Sequence, residues 1–358
     1  MKRQRLFLQV LLGVLLAAVT SLPAAGQSSR PVAQPPPDPA ITFNTGNPVG
    51  GWLYVMNDDG SNKRAILKTG HNGMPSWSPD GSRIVFVSDV NGKGIYIINK
   101  DGTGLCKLVA LNDSSNWLFA GPVWSPLPLA DGKPRIAYAN TPSPGASNYD
   151  LFVVNADCSN PGNPVNLTNT PTTTEWFPSW SRFANRIAAQ YGSSPDVVVY
   201  DVGVNGGVVS ITGKTYLKDL GLFPPVTDPN VVRYVAEPDW GKADDRLAVE
   251  SNLSVNFDWP QIWITDLTTA GTYNLTQGKV AFADNPSWSP DDKEIVFRQH
   301  ETAHGTTVGL FKINLTTGAV TQLTGFSLTD PKGSYPDWRR CFRSTTQCPS
   351  GSTCQFCK

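Results

Sequence analysis

The chain has 358 residues, with 29 basic and 29 acidic side chains and only 16% charged residues. That balance excludes the basic footprint of a nucleic-acid-binding surface. The length allows one large all-β domain or two ordinary ones, and 32 Gly with 30 Pro imply many turns.

Residues 1–26 have the pattern of a secretory signal peptide. Lys2, Arg3 and Arg5 form a positive start, residues 6–19 are apolar, and Ala24-Ala25-Gly26 supplies small residues for cleavage after Gly26. The apolar run is short for a membrane span, so the expected product is secreted or periplasmic, with no span in the mature chain. Residues 27–46 include QSSRPVAQPPPDP and read as an extended, Pro-rich leader.

From residue 47 onward the chain repeats. Trp77, Trp124, Trp180, Trp240, Trp288 and Trp338 each follow a proline by two positions. Spacings of this size, with several short β-type runs in each unit, indicate a propeller or array. Around Trp77 the runs are 74–79, 83–87, 95–98 and 105–109, separated by turn sequences such as Pro79-Asp80-Gly81. The same order recurs after Trp124 (135–138, 151–154, 165–168) and Trp180 (186–189, 197–200, 208–212). It recurs again after Trp240 (246–249, 261–264, 272–276) and Trp288 (294–297, 310–313, 320–324). The Trp338 unit lacks its outer strands, while 52–55 and 64–67 match a third and a fourth strand at the other end of the chain. The expectation is an all-β, six-bladed propeller over 47–340, with four-stranded antiparallel blades and closure by pairing N-terminal strands with the last blade.

Pro75-Ser76-Trp77-Ser78-Pro79-Asp80-Gly81, the similar run at 286–292 and the turn Asn57-Asp58-Asp59-Gly60 resemble the WD40-like (PD40) repeats of TolB-type propellers. The resemblance covers about residues 50–340. It implies an exported propeller acting through protein partners at the cell envelope, here with a Pro-rich leader where TolB has an α/β domain. The prolyl oligopeptidase group couples such a propeller to a hydrolase domain, for which residues 341–358 are too few.

His300-Glu301-Thr302-Ala303-His304 has the letters of a zinc-protease motif, whose chemistry needs both histidines on one helical face. Here it joins two strands, so a hairpin loop is expected, and no metal or other cofactor is assigned; His300 and His304 stay the weakest of metal candidates. The Asp-Gly and Asn-Gly pairs at 59–60, 80–81, 91–92, 101–102 and 131–132 read as hairpin turns, not calcium loops. Cys341, Cys348, Cys354 and Cys357 crowd the tail, 341–358, as two disulfides of open pairing or a structural zinc site. Cys106 and Cys158 fall towards one face of adjacent blades, either bridged or as buried thiols.

The loops entering the first strands and those between second and third strands share one end of the ring, and they are the irregular ones. They carry the candidate ligand-binding residues His71, Trp117, Tyr149, Glu175, Trp176, Glu237, Trp259, Asp284 and Tyr335. Aromatics beside carboxylates suit a peptide or a sugar. The expected function is a monomeric, non-catalytic binding or scaffold module for an envelope protein or polysaccharide. The alternative is a glycan hydrolase or lyase, metal-dependent or not, using Glu175, Glu237 and Asp284.

Overall fold

The computed structural model describes residues 38–46, 51–112, 117–183, 185–192, 196–223, 234–242, 245–253, 259–301, 307–326 and 333–339. The stretch expected to be a signal peptide and the four tail cysteines lie outside them. The described chain is an all-β propeller of antiparallel sheets. Four sheets have four strands each. The first is Val123–Trp124, Arg135–Asn140, Asp150–Asn155 and Val165–Asn166. The second is Glu175–Trp180, Arg186–Tyr191, Asp196–Asn205 and Val208–Tyr216. The third is Val235–Trp240, Arg246–Ser251, Gln261–Asp266 and Thr272–Asn274, and the fourth Ala283–Trp288, Glu294–His300, Val308–Asn314 and Val320–Gln322.

The fifth sheet differs from the expectation of separate blades. It has seven strands in the spatial order Gly333–Trp338, Ile41–Thr45, Gly51–Met56, Arg64–Trp77, Arg83–Ser88, Gly94–Asn99 and Cys106–Ala110. Arg64–Trp77 joins its two halves, because one continuous strand pairs first with Gly51–Met56 and then with Arg83–Ser88. A second correction concerns the leader. Ile41–Thr45 lies inside the stretch read as Pro-rich coil, yet it pairs with Gly333–Trp338 on one side and Gly51–Met56 on the other. Its Ile-Thr-Phe-Asn-Thr run alternates in sequence, and both faces are covered, with Ile41, Thr42, Phe43 and Asn44 all fully buried.

The strands read as continuous apolar runs because both of their faces are covered. Ile84 and Phe86 enter one hydrophobic cluster while Val85 and Val87 enter another. Ala188 and its neighbours Ile187 and Ala189 divide in the same way, as do Val296 and its neighbours Ile295 and Phe297. The period-2 alternation of a strand therefore feeds two inter-sheet cores.

The six tryptophans sit at these seams, each at most 4% exposed. The Trp240 and Trp288 indole N–H groups donate to the Ser179 and Asp239 carbonyls of the preceding sheet, both at 3.1 Å. A cation from a neighbouring strand covers several of the rings: Arg83 on Trp124, Arg186 on Trp240 and Arg246 on Trp288, at 5.0, 4.6 and 5.3 Å from the centroid. Cys106 and Cys158 form a disulfide across a sequence separation of 52, tying Cys106–Ala110 to the turn after Asp150–Asn155. The glycines of the five Asp-Gly and Asn-Gly pairs all have positive φ, as hairpin turns require.

Candidate functional site: the axial channel and its charged mouth

The residue three places before each repeat tryptophan has a left-handed backbone. Met74, Gly121, Phe177, Glu237, Asn285 and Tyr335 have φ between +47° and +50°. Only Gly121 adopts this without penalty. The others each store about 1–3 kcal/mol of local strain, and all of them precede a proline, which favours extended backbone instead. The pairing register slips here, between Gly73 and Ser76, Trp176 and Ser179, Ala236 and Asp239, and Asp284 and Ser287. One extra residue bends the inner strand and re-aims its side chain. The outcome is an axial channel of ≈ 120 Å³, lined by Met74, Phe177, Glu237, Asn285 and Tyr335 with their following prolines.

Beyond the proline, a polar residue in several repeats ties one inner strand to its neighbour. Asp239 accepts from the Trp288 N–H at 2.8 Å and from the Ser179 hydroxyl at 3.1 Å. Asp337 accepts from the Trp77 N–H at 2.8 Å, and the Ser287 hydroxyl accepts from the Trp338 N–H at 3.1 Å. Burial pushes the Asp337 carboxyl up to about 7, against the opposing pull of the Trp77 N–H and Arg182.

One mouth of the channel is charged. Arg298, on Glu294–His300, donates from Nε to Asp284 Oδ1 at 2.6 Å and makes a second, parallel contact to Oδ2. Its third nitrogen donates to Ser334 Oγ at 2.8 Å, and its guanidinium lies 5.4 Å from the Tyr335 ring centroid. His300 Nε2 is 3.5 Å from Asp284 Oδ2. Burial alone would raise the Asp284 carboxyl, but Arg298 and His300 hold it below its ordinary value. Glu237 accepts from both the backbone and the side-chain N–H of Asn285. Burial, reinforced by the Asp284 charge, pushes Glu237 up to about 7. Glu250 is raised well above the usual range by the same two causes and accepts from the Tyr234 hydroxyl. The result is a bidentate ion pair flanked by two carboxyls that favour their neutral form.

The sequence-predicted residues divide into several environments. Glu237, Asp284, Tyr335 and His300 meet at this mouth. Trp259 approaches it through Phe282, whose ring is 6.0 Å from Trp259 and 4.0 Å, edge to face, from His300. His71 is exposed elsewhere and paired with Asp89 at 2.8 Å. Trp117 and Tyr149 are core residues, 9% and 4% exposed, so neither is a free binding ring. Trp176 is half-buried, stacked on Phe119 and edge-on to Tyr149. Glu175 is fully buried away from the channel, held by the hydroxyls of Thr170, Thr168 and Tyr200, and burial raises it to about 7. His304 lies outside the described residues. His300 closes a strand that returns at Val308, so the histidine motif begins in a hairpin. Among the described residues, no group of three or more His, Cys, Asp or Glu could hold a metal ion.

Arg298, Glu250 and Tyr234 join the mouth from outside the loops that the sequence singles out. Arg298 and Glu250 lie within strands, where charge is rare unless paired. The Phe-Arg-Gln and Val-Glu-Ser interruptions of otherwise apolar runs were the available signal.

No family model matches the chain. A curated dipeptidyl-peptidase 5 from Porphyromonas endodontalis is 24% identical over 249 residues, covering 67% of this chain and 31% of that protein. The chain thus spans about a third of the length of the curated relative it matches. Among solved structures, TolB from Acinetobacter baumannii is similar with a TM-score of 0.59 and 16% identity, over 84% of this chain and 66% of that one. Kuenenia stuttgartiensis hydrazine synthase matches with a TM-score of 0.61 and 11% identity, over 85% of this chain and 47% of that one. At these identities the likeness is one of fold, the propeller. No helix among the described residues is long and apolar enough to cross a membrane.

Proposed function

We propose that the protein is an exported, monomeric propeller of six blades that binds a protein or polysaccharide at the cell envelope through its loop-rich end, without catalysing a reaction. In this reading the seven-stranded sheet is two blades sharing Arg64–Trp77, a division supported by the six left-handed residues and the alternation of strands between cores. The Cys106–Cys158 bridge and the signal-like start support an oxidising compartment. The likeness to TolB and to part of dipeptidyl-peptidase 5 supports the TolB-type class of propeller.

The observation that carries the binding reading is the size and lining of the channel. At ≈ 120 Å³ it is smaller than the roughly 300–1,000 Å³ usual for small-molecule sites. Its aromatic, amide and carboxyl lining suits one inserted side chain or a chain end of a docked partner. Panning a random peptide library on the purified chain tests this. Enriched peptides should bind at least about tenfold more weakly to Glu237→Gln and Phe177→Ala variants. Binding indifferent to both variants would sink the reading, and failure to enrich any sequence would remove its protein ligand.

The glycan hydrolase or lyase alternative draws support from Glu237, a channel carboxyl near neutrality beside Tyr335 and Arg298. Turnover of an oligosaccharide abolished by Glu237→Gln would replace the binding reading with this one.

A further inference from the structure

A second cavity lies away from the channel, between the Trp124 and Trp180 sheets, at the loop-rich end. Its volume is ≈ 370 Å³, within the range of small-ligand sites. Thr168 and Thr170, in the connection between the two sheets, and Tyr200 form the floor, while Tyr191, Tyr216 and Lys214 line the sides.

With Glu175 ionised, the floor presents one polarity. Behind it sits the fully buried Glu175 carboxyl. The Thr170 and Thr168 hydroxyls donate to its Oε2 at 2.8 and 3.2 Å, and the Tyr200 hydroxyl donates to Oε1 at 3.4 Å. Asp150 Oδ1 competes for the Thr170 proton at 3.0 Å. With their hydrogens committed to carboxylates, these three oxygens offer the cavity acceptors and no donors. A ligand that fits must bring hydroxyl donors.

The sides carry different chemistry. Tyr191 and Tyr216 meet edge to face with centroids 5.1 Å apart, giving an apolar wall for a ring. The Lys214 and Lys218 ammonium groups lie 5.5 and 5.3 Å from the Tyr216 centroid. Two cations on the rim, one of them lining the cavity, disfavour a cationic guest and provide a partner for a carboxylate.

We propose that this cavity binds an acidic sugar unit of a polysaccharide, a uronate whose hydroxyls donate to the Thr168, Thr170 and Tyr200 oxygens. The ring lies against Tyr191 and Tyr216, and the carboxylate pairs with Lys214. The site is independent of the channel, so the channel reading can fail while this one stands.

Isothermal titration of the full mature chain at pH 8, above the value of about 7 to which burial raises Glu175, with cellobiouronic acid and with neutral cellobiose tests the assignment. The acidic disaccharide should bind at least about tenfold tighter than the neutral one. Lys214→Gln should erase that difference by weakening the acid alone. Tyr216→Ala should weaken the acid by about tenfold or more and Tyr216→Phe should restore it, with the circular dichroism melt confirming that each variant is folded. No heat from either sugar at up to about 10 mM would overturn the proposal. So would binding indifferent to Lys214→Gln and Tyr216→Ala, or preferential binding of tetramethylammonium, which would mark a cation cage instead.

Discussion

The two halves of the channel share one backbone and carry opposite chemistry. On the Trp77, Trp124 and Trp180 strands the left-handed positions hold Met74, Gly121 and Phe177, backed by a cluster containing Trp117, Leu118 and Trp124. On the Trp240, Trp288 and Trp338 strands the same positions hold Glu237, Asn285 and Tyr335, backed by Arg298, Asp284 and Glu250. The bulge is therefore a device of the repeat, holding apolar, amide and carboxyl side chains alike, and the half-ring's chemistry comes from what each repeat places on it. Strain at five non-glycine residues is maintained on both halves, whereas the charge gathered at the channel mouth is concentrated on one.

Breaking the charged half should have the largest effect. Arg298→Met leaves Asp284 buried without its bidentate partner, and unfolding in urea at pH 7 should show a loss of about 3–5 kcal/mol. Adding Asp284→Leu should recover most of that loss. A double variant no more stable than Arg298→Met would show that the arginine acts through packing instead. On the apolar half one constraint is covalent. Replacing Cys106 and Cys158 with serine should cost up to about 4 kcal/mol, from the closure entropy of the loop they span, read as a lower denaturant midpoint. A difference below about 1 kcal/mol would mean that packing at this seam suffices alone.

Glu175 sharpens the comparison through pH. Its folded-state carboxyl is raised to about 7 from an ordinary 4.5, so the folded chain holds more protons than the unfolded one between those values. Stability contributed by this group is therefore present in full below about pH 4.5 and lost as pH rises to about 7. Glu175→Gln should be more stable than the parent at pH 8, by on the order of 3 kcal/mol or less, with the gap closing by pH 4. Melting curves at the two pH values check this, and a pH-independent gap would remove titration as the cause. The smallest effect belongs to Gly121→Ala. A Cβ there would meet Met74 Sδ and Phe177 Cα at 3.5 Å, an ordinary contact, so only the left-handed backbone is penalised. A loss of about 1 kcal/mol is expected in urea, and a much larger one would place a steric constraint on the apolar wall.

Much of the fold was legible because it repeats. The Pro-x-Trp motif, the Arg-led apolar runs and the Asp-Gly turns are local signals, and the strands follow them to within a few residues. Ile41–Thr45 escaped because its partners are Gly51–Met56 and Gly333–Trp338, the latter far along the chain, and a proline-rich neighbour masked a five-residue alternation. The site was less legible. Glu237, Asp284, Tyr335 and His300 were marked by their loops, but Trp117 and Tyr149 carry the same marks and are core residues. Nothing in a linear reading separates an aromatic that caps a blade from one that faces solvent.

Sequence alone determined the repeat, its strand order and the turns that separate the strands, since each depends on neighbours within a few residues. Only the tertiary structure decided which charges meet. Arg298 reaches Asp284 through strand pairing, but Glu237 and Asn285 meet across 48 positions, and Glu175 lies behind two hydroxyls of the connection that precedes it and one from a strand of its own sheet. The Glu237–Asn285 contact arises from closing the sheets around an axis, and burial, rather than residue type, sets which carboxyls hold a proton near neutrality.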